Sequence, residues 1–174
     1  MPLKNPKTIP AIPRTRAKTV SKIKAATPRE KKSGIEYLCQ FYFSTDKTRE
    51  TQKYCISLST IRQFSALNYE ISVKTLKVKN SIDISILGLN TKADYINKHG
   101  AAECVVCFEN LYGRHTINII KQDGSINSAV VDFNIYKKQI ELVKVFLPHK
   151  TNNRNFCRFE IADDKFNYSK KGGW

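Results

Sequence analysis

The chain has 174 residues and a formal net charge of +15, with 30 Lys and Arg against 15 Asp and Glu. This length suits one folded domain with a self-sufficient core. The longest apolar stretch, 82–89, is interrupted by Asp83, Ser85 and Gly88 and is shorter than the roughly 18 residues that cross a bilayer. We therefore expect a soluble protein without an integral membrane segment.

Most of the charge lies in the first 34 residues, which hold ten Lys or Arg, one acid (Glu30) and five of the six prolines. This segment shows no apolar periodicity, and a segment that buries little apolar surface remains extended and acts mainly through its charge. We predict that residues 1–34 form a flexible arm that neutralises a nucleic-acid backbone. The predicted binding residues are Lys4, Lys7, Arg14, Arg16, Lys18, Lys22, Lys24, Arg29, Lys31 and Lys32.

Apolar and polar residues alternate after the arm, and this period of two predicts strands. A first strand over 35–44 and a second over 53–59 form a hairpin across a polar turn. We expect a short helical turn next. A third strand over 71–78 then follows, with a bulge at Thr75, and a fourth strand covers 82–88.

The second half of the chain carries five more alternating segments, over 102–108, 117–119, 129–135, 140–145 and 156–161. Asp123-Gly124 supplies the positive-φ residues of a tight hairpin. Short strands without a long helical period predict an all-β fold. We expect an antiparallel β-sandwich with an immunoglobulin-like layout over 35–162 and a polar tail over 163–174, with a partly open barrel as the alternative.

Five cysteines and no export signal predict reduced, structural thiols in a cytosolic-type compartment. Cys104 and Cys107 form a C-x-x-C pattern inside an alternating strand, where positions i and i+3 face opposite sides. That placement opposes both a zinc site and a redox pair, so we expect no metal and no cofactor. We expect a cytoplasmic protein; the Arg-rich, acid-poor start leaves an organellar matrix as the alternative.

Catalytic patterns are missing from the sequence. His99, His115 and His149 stand apart from one another and from a Ser, Cys or Asp constellation. The glycine patterns that cradle nucleotide phosphates do not occur. We expect no enzymatic activity, and we expect His115 to be a solvated strand-end residue rather than a phosphate contact.

Basic and aromatic residues of the body extend the possible nucleic-acid surface. Lys74, Lys77 and Lys79 alternate along one predicted strand, and other basic residues cluster near predicted turns. Exposed rings beside basic residues strengthen single-strand binding by stacking on bases. The phenylalanines follow the apolar pattern, so the expected surface rings are Tyr69, Tyr112, Tyr136, Tyr168 and Trp174.

These features favour a non-enzymatic accessory or structural subunit of a large assembly that binds nucleic acid through its arm. Structured RNA in a ribonucleoprotein particle is favoured over DNA, with other protein subunits as further partners. The alternative is a protein–protein interaction subunit whose arm lies on acidic protein or on an anionic membrane surface. A third hypothesis is a small coat protein whose arm faces a packaged genome.

Overall fold

The computed structural model describes residues 34–45, 51–65, 67–92, 100–150 and 152–167. They belong to one compact unit within Lys31–Trp174. Apart from Gly34, the predicted arm lies outside the described residues, together with all ten of its predicted binding residues.

Nine strands account for most of the described chain. They are β1 (Tyr37–Thr45), β2 (Gln52–Phe64), β3 (Tyr69–Val78), β4 (Ser81–Thr91), β5 (Gly100–Phe108), β6 (Gly113–Lys121), β7 (Ile126–Asn134), β8 (Gln139–Phe146) and β9 (Cys157–Ile161), followed by a 3-10 turn, Asp163–Lys165. The predicted all-β class is therefore confirmed.

The strands form one mixed sheet in the order β8-β7-β6-β4-β3-β5-β2-β1-β9, which curls until it is nearly closed into a barrel. The predicted antiparallel immunoglobulin-like sandwich is not confirmed. Three neighbouring pairs run parallel, namely β1 with β9, β3 with β5 and β4 with β6. These parallel pairs join strands that are distant in the chain, and alternation within each strand carries no information about such pairing.

The helical turn predicted after β2 is wrong, because β2 continues to Phe64. Its pairing with β5 shifts register between Ser59 and Gln63. The Thr60 hydroxyl accepts a hydrogen bond from the Ala102 N–H at 2.9 Å and donates one to the Arg62 carbonyl at 2.8 Å. The register shift in β2 interrupts the alternation of apolar and polar residues, and the Thr60 side chain bridges it. This interruption is the pattern that had indicated a turn.

The bulge predicted at Thr75 lies elsewhere. In the β3–β4 ladder, Ser72 faces Gly88 and Val73 faces Ile86, so Leu87 is the extra residue and belongs to β4. The tight hairpin at Asp123-Gly124 is confirmed: it joins β6 to β7, and Gly124 has a φ of +80°.

Aromatic side chains fill the centre of the curled sheet. The Phe133 ring makes edge contacts with Phe41 and Tyr54, at centroid distances of 6.4 and 5.7 Å. His115 joins this core, buried and 5.9 Å from the Phe133 ring. The expectation of a solvated His115 is wrong because β6 begins at Gly113, which places residue 115 two positions inside the strand on its inward face.

The packed domain extends beyond the predicted boundary at residue 162. The Phe166 ring packs edge-on against Phe43 at 5.4 Å, and the Asn167 N–H donates to the Phe43 carbonyl at 3.0 Å. The Thr45 hydroxyl donates to the Asn167 carbonyl at 2.9 Å. Residues 163–167 are therefore part of the packed body.

A buried carboxamide on β7 bonds that strand to the chain that enters β9, the strand at one edge of the sheet. Asn127, on β7, is 1% exposed. Its Oδ1 accepts hydrogen bonds from the N–H groups of Phe156 and Cys157, each at 2.8 Å, and its Nδ2 donates to the Arg154 carbonyl at 2.8 Å. This one side chain supplies the partners that a neighbouring strand would give to the chain as it enters β9.

We expect Asn127→Ala to lower the free energy of unfolding by about 2–4 kcal/mol, because two buried N–H groups lose their acceptor. Urea unfolding followed by circular dichroism measures this change. Asn152→Ala, at an exposed position nearby in the chain, is the control and should change stability by less than about 0.5 kcal/mol. Equal stabilities of the two variants would contradict the closing role of Asn127.

Cys55 and Cys107 are register partners on β2 and β5 and form a disulfide. The prediction of five reduced thiols is therefore wrong for this pair. The predicted opposite facing of Cys104 and Cys107 is confirmed: Cys104 packs against the core, whereas Cys107 is exposed. Cys39 and Cys157 are buried thiols, as expected.

We expect thiol titration of the denatured protein to count three thiols without reductant and five after reduction, because Cys39, Cys104 and Cys157 are unbridged. Mass spectrometry of a non-reduced digest should show the peptide of Cys55 joined to that of Cys107. Five reactive thiols before reduction would contradict the cross-strand disulfide.

Candidate nucleic-acid interface

The strand directions divide the turns of the sheet between two ends. We call the end where β1 begins, next to Gly34, the entry end; it also carries the turn at 122–125 and the chain at 152–156. We call the opposite end the far end. It carries the turns at 79–80, 109–112 and 135–138.

The entry end holds a partly buried charge cluster around Glu36. Lys121 Nζ donates to Glu36 Oε2 at 2.5 Å, and Arg154 Nη2 contacts Glu36 Oε1 at 2.5 Å. Arg154, whose side chain is only 10% exposed, also lies 3.8 Å from Asp123 Oδ2. Its guanidinium and the Lys121 ammonium both lie over the Phe156 ring, at 5.8 and 5.6 Å. Carboxylates and a ring therefore hold these two cations in place.

The same cluster sets the titration of Glu36. Burial alone raises the pKa of this carboxyl, but the hydrogen bonds and charges of Lys121 and Arg154 outweigh burial and lower its pKa below the ordinary 4.5. The cluster thus favours the ionised form of Glu36. At neutral pH the cluster around Glu36 is a structural network of ion pairs.

An open groove of about 470 Å³ lies beside this cluster. Its lining includes the apolar side chains of Ile61, Phe64 and Leu89, and the Arg62 guanidinium lies 5.5 Å from the centre of the Phe64 ring. This mostly apolar lining suits contact with an apolar side chain better than contact with a phosphate.

The far end exposes two tyrosines. Tyr112 is 68% exposed and Tyr136 is 85% exposed, the highest values among the large apolar side chains that the structure describes. Their rings contact each other edge to face, with centroids 6.1 Å apart. The expectation that both are surface rings is confirmed. Tyr69, by contrast, packs against Phe64 at 4.7 Å, while Tyr168 and Trp174 lie outside the described residues.

Local structure fixes the position of both rings. Tyr112 lies between the buried Leu111 and Gly113, whose φ of +74° turns the chain into β6. Tyr136 lies in the β7–β8 turn, where Asn134 Oδ1 accepts from the Lys137 N–H at 3.0 Å. Lys138 adopts a left-handed φ of 49° in this turn. The rings are therefore presented by ordered turns.

Basic residues accompany the tyrosines. Arg114, Lys137 and Lys138 are exposed and lie within two residues of one ring or the other along the chain. The Arg114 side chain is 70% exposed although its Nε lies 3.6 Å from Asp132 Oδ2. Lys77 and Lys79 reach the same end on β3 and the turn after it, and Glu109 is an acid in the neighbouring turn. Asp132 and the exposed Glu141 lie on β7 and β8 at the same end, so the two rings have both basic and acidic neighbours.

The predicted binding residues of the arm and the far-end surface lie in different parts of the chain. None of the ten arm residues is among those that the structure describes. The contact between Tyr112 and Tyr136 is a feature that sequence reasoning missed, although both rings were expected at the surface. Residues 24 positions apart become neighbours only through the pairing of β6 with β7.

The described residues contain no group of three or more His, Cys, Asp or Glu placed to hold a metal ion. In the same part of the chain, no helix has the length and apolar character needed to cross a membrane.

Comparison with protein-family models, with characterised proteins and with solved structures gives no match to this chain.

We expect the stabilising effect of Glu36 to be lost as the pH falls. Because its pKa is lowered in the folded state, the contribution is present above the unfolded-state pKa and disappears as the pH falls through the folded-state pKa, below 4.5. Glu36→Gln should be less stable than the wild type by about 1 kcal/mol or less at neutral pH, since the carboxylate is 41% exposed.

Urea unfolding at a series of pH values tests this expectation. The stability difference between the wild type and Glu36→Gln should shrink below pH 4.5. Glu141→Gln, at an exposed position on β8, is the matched control and should show little difference from the wild type at any pH. A difference that stays constant down to acid pH would contradict the role of the ion pairs.

Proposed function

We propose that this protein is a non-enzymatic structural subunit of a large assembly, and that it binds nucleic acid, with structured RNA favoured, through its basic N-terminal arm. The observation that carries the proposal is the charge division of the chain. Residues 1–34 hold ten basic side chains against one acid, whereas the described residues hold 15 basic against 11 acidic. A segment with this density of positive charge neutralises phosphates and releases their counterions on binding.

The ion pairs of the body support assigning this role to the arm. Lys121 and Arg154 contact Glu36, Arg158 lies 3.3 Å from Glu160, and Lys165 lies 3.9 Å from Glu103. Cations that already have carboxylate partners gain less from a phosphate, because the first partner must be given up. Polyanion binding by this chain therefore depends mainly on the arm.

Other protein subunits are proposed partners of the same assembly, and the edge strand β8 supports this part of the proposal. β8 ends the sheet order, and exposed apolar side chains lie on its last residues, Val143, Val145 and Phe146, and on Leu147 just after it. Exposed apolar side chains grouped in this way form a surface on which another chain can pack. A subunit that acts through protein contacts alone is the second candidate function.

We expect the affinity for RNA to fall steeply with salt. If the arm neutralises about nine phosphates, the slope of log affinity against log salt is about −8 on a duplex and about −6 on a single strand. Replacing the ten arm Lys and Arg by Gln should remove most of this slope. Fluorescence anisotropy with labelled RNA at several salt concentrations measures it.

The control for this experiment is the body variant Lys74→Gln/Lys92→Gln/Lys150→Gln, which removes three exposed lysines from the described domain. It should keep most of the wild-type slope. An arm variant with an unchanged slope would reject the proposed role of the arm. Natively purified protein whose 260 to 280 nm absorbance ratio does not change on nuclease treatment would favour the second candidate, a protein-binding subunit.

A further inference from the structure

We propose that the sheet receives an extended segment of another protein subunit as an added strand between β3 and β5. This inference rests on the proposed role of the chain as a subunit with protein partners, and it does not need the arm to bind RNA. The carrying observation is an opening in the sheet. Over the residues that the structure describes, β3 and β5 share a single ladder pair, Glu70 with Glu103.

The opening lies beyond this pair, between residues 73–78 of β3 and residues 104–108 of β5. β3 pairs with β4 along its other side, and β5 pairs with β2 along its other side. On the sides that face each other, the two segments make no backbone hydrogen bond to another described residue. The N–H and C=O groups of every second residue therefore point into the opening without a partner strand.

The side chains beside the opening are apolar and accessible to solvent. Leu76 on β3 is 56% exposed, and Val105 on β5 is 46% exposed. Burial of the inward-facing residues also decreases along β5. Ala102 is fully buried near the ladder pair, whereas Cys104 and Phe108, further along the strand, are half-buried at the border of the core. The border of the core is thus reachable between the two strands.

The backbone groups in the opening identify the kind of partner. An extended peptide carries N–H and C=O groups along both of its sides, so one added strand can bond to β3 and β5 at once. Since β3 and β5 run parallel, a strand antiparallel to one is antiparallel to both. Apolar residues at every second position of that strand would cover the border of the core. A phosphate chain lacks the regularly spaced donors that the carbonyl groups need.

Charged side chains of both signs surround the opening, namely Lys74, Lys77, Lys79, Glu70, Glu103 and Glu109. Lys165 Nζ lies 3.9 Å from Glu103 Oε1. Lys77 Nζ donates to the Asn110 carbonyl at 3.0 Å across the far end of the opening. This lysine is exposed, so it can turn towards water when a strand enters. Backbone pairing and apolar contact, rather than net charge, therefore select the partner.

Hydrogen exchange followed by mass spectrometry, on the isolated full chain and on the natively purified assembly, tests the proposal. In the isolated chain, peptides that cover 73–78 and 104–108 should exchange faster than those of β6 and β7, which have neighbouring strands on both sides. In the assembly, exchange of the two segments should slow by about tenfold or more, while β6 and β7 stay unchanged. Equal exchange in both samples, or slow exchange of both segments in the isolated chain, would overturn the proposal.

Photo-cross-linking identifies the added strand. A benzophenone side chain in place of Val105 should give adducts with one segment of another subunit in which every second residue is apolar. Adducts confined to RNA or to this chain itself would overturn the proposal. Leu76→Lys/Val105→Lys should weaken retention of that subunit by about tenfold, because the apolar cross-strand contacts are lost. Leu87→Lys, at a position that is 49% exposed on β4 outside the opening, is the matched control and should retain it. Equal retention by the two variants would contradict the inference.

RNA binding by the arm is measured separately, so the two proposals fail independently. If the salt slope depends on the arm, while exchange at the opening is the same with and without the assembly, only the added strand is rejected. If the wild type has no affinity for RNA, while both segments are protected in the assembly, only the RNA-binding role is rejected. A chain that purifies with neither RNA nor another subunit rejects both.

Discussion

The buried carboxamide of Asn127 is the interaction on which the curled sheet depends. The first and last strands in the sheet order share no ladder, and three backbone groups of the chain that enters β9 are bonded by this one side chain of β7. An apolar residue of similar size at this position would leave buried N–H groups unpaired. Asn153 reinforces the same junction, because its Oδ1 accepts from the Ile126 N–H and its Nδ2 donates to the Ile126 carbonyl.

Closure at this point also organises the two ends of the domain. It brings Arg154 beside Glu36 and Phe156, so Arg154 and its neighbour Lys121 are engaged in structural contacts. The far end exposes Tyr112 and Tyr136, and Arg114 beside them pairs with Asp132.

Alternation is a local property, and it predicted most strands and their inward faces correctly, including the core positions Phe41 and Phe133. Pairing is not local. The parallel pairing of β1 with β9 places Tyr37 opposite Cys157, and the disulfide joins cysteines separated by 52 residues. A short sequence pattern therefore predicts neither the pairing nor the disulfide. Likewise the arm could be recognised by charge alone, but the Tyr112–Tyr136 contact required the β6–β7 register.

The central claim is that the basic arm contacts RNA in the assembled particle. Cross-linking mass spectrometry on natively purified material tests it most directly, because it identifies what lies against residues 1–34. The account predicts nucleotide adducts on the arm peptides that contain Arg14, Arg16, Lys22 and Lys24. Arm peptides joined only to acidic side chains of a protein, or only to the β-sheet domain of the same chain, would contradict it.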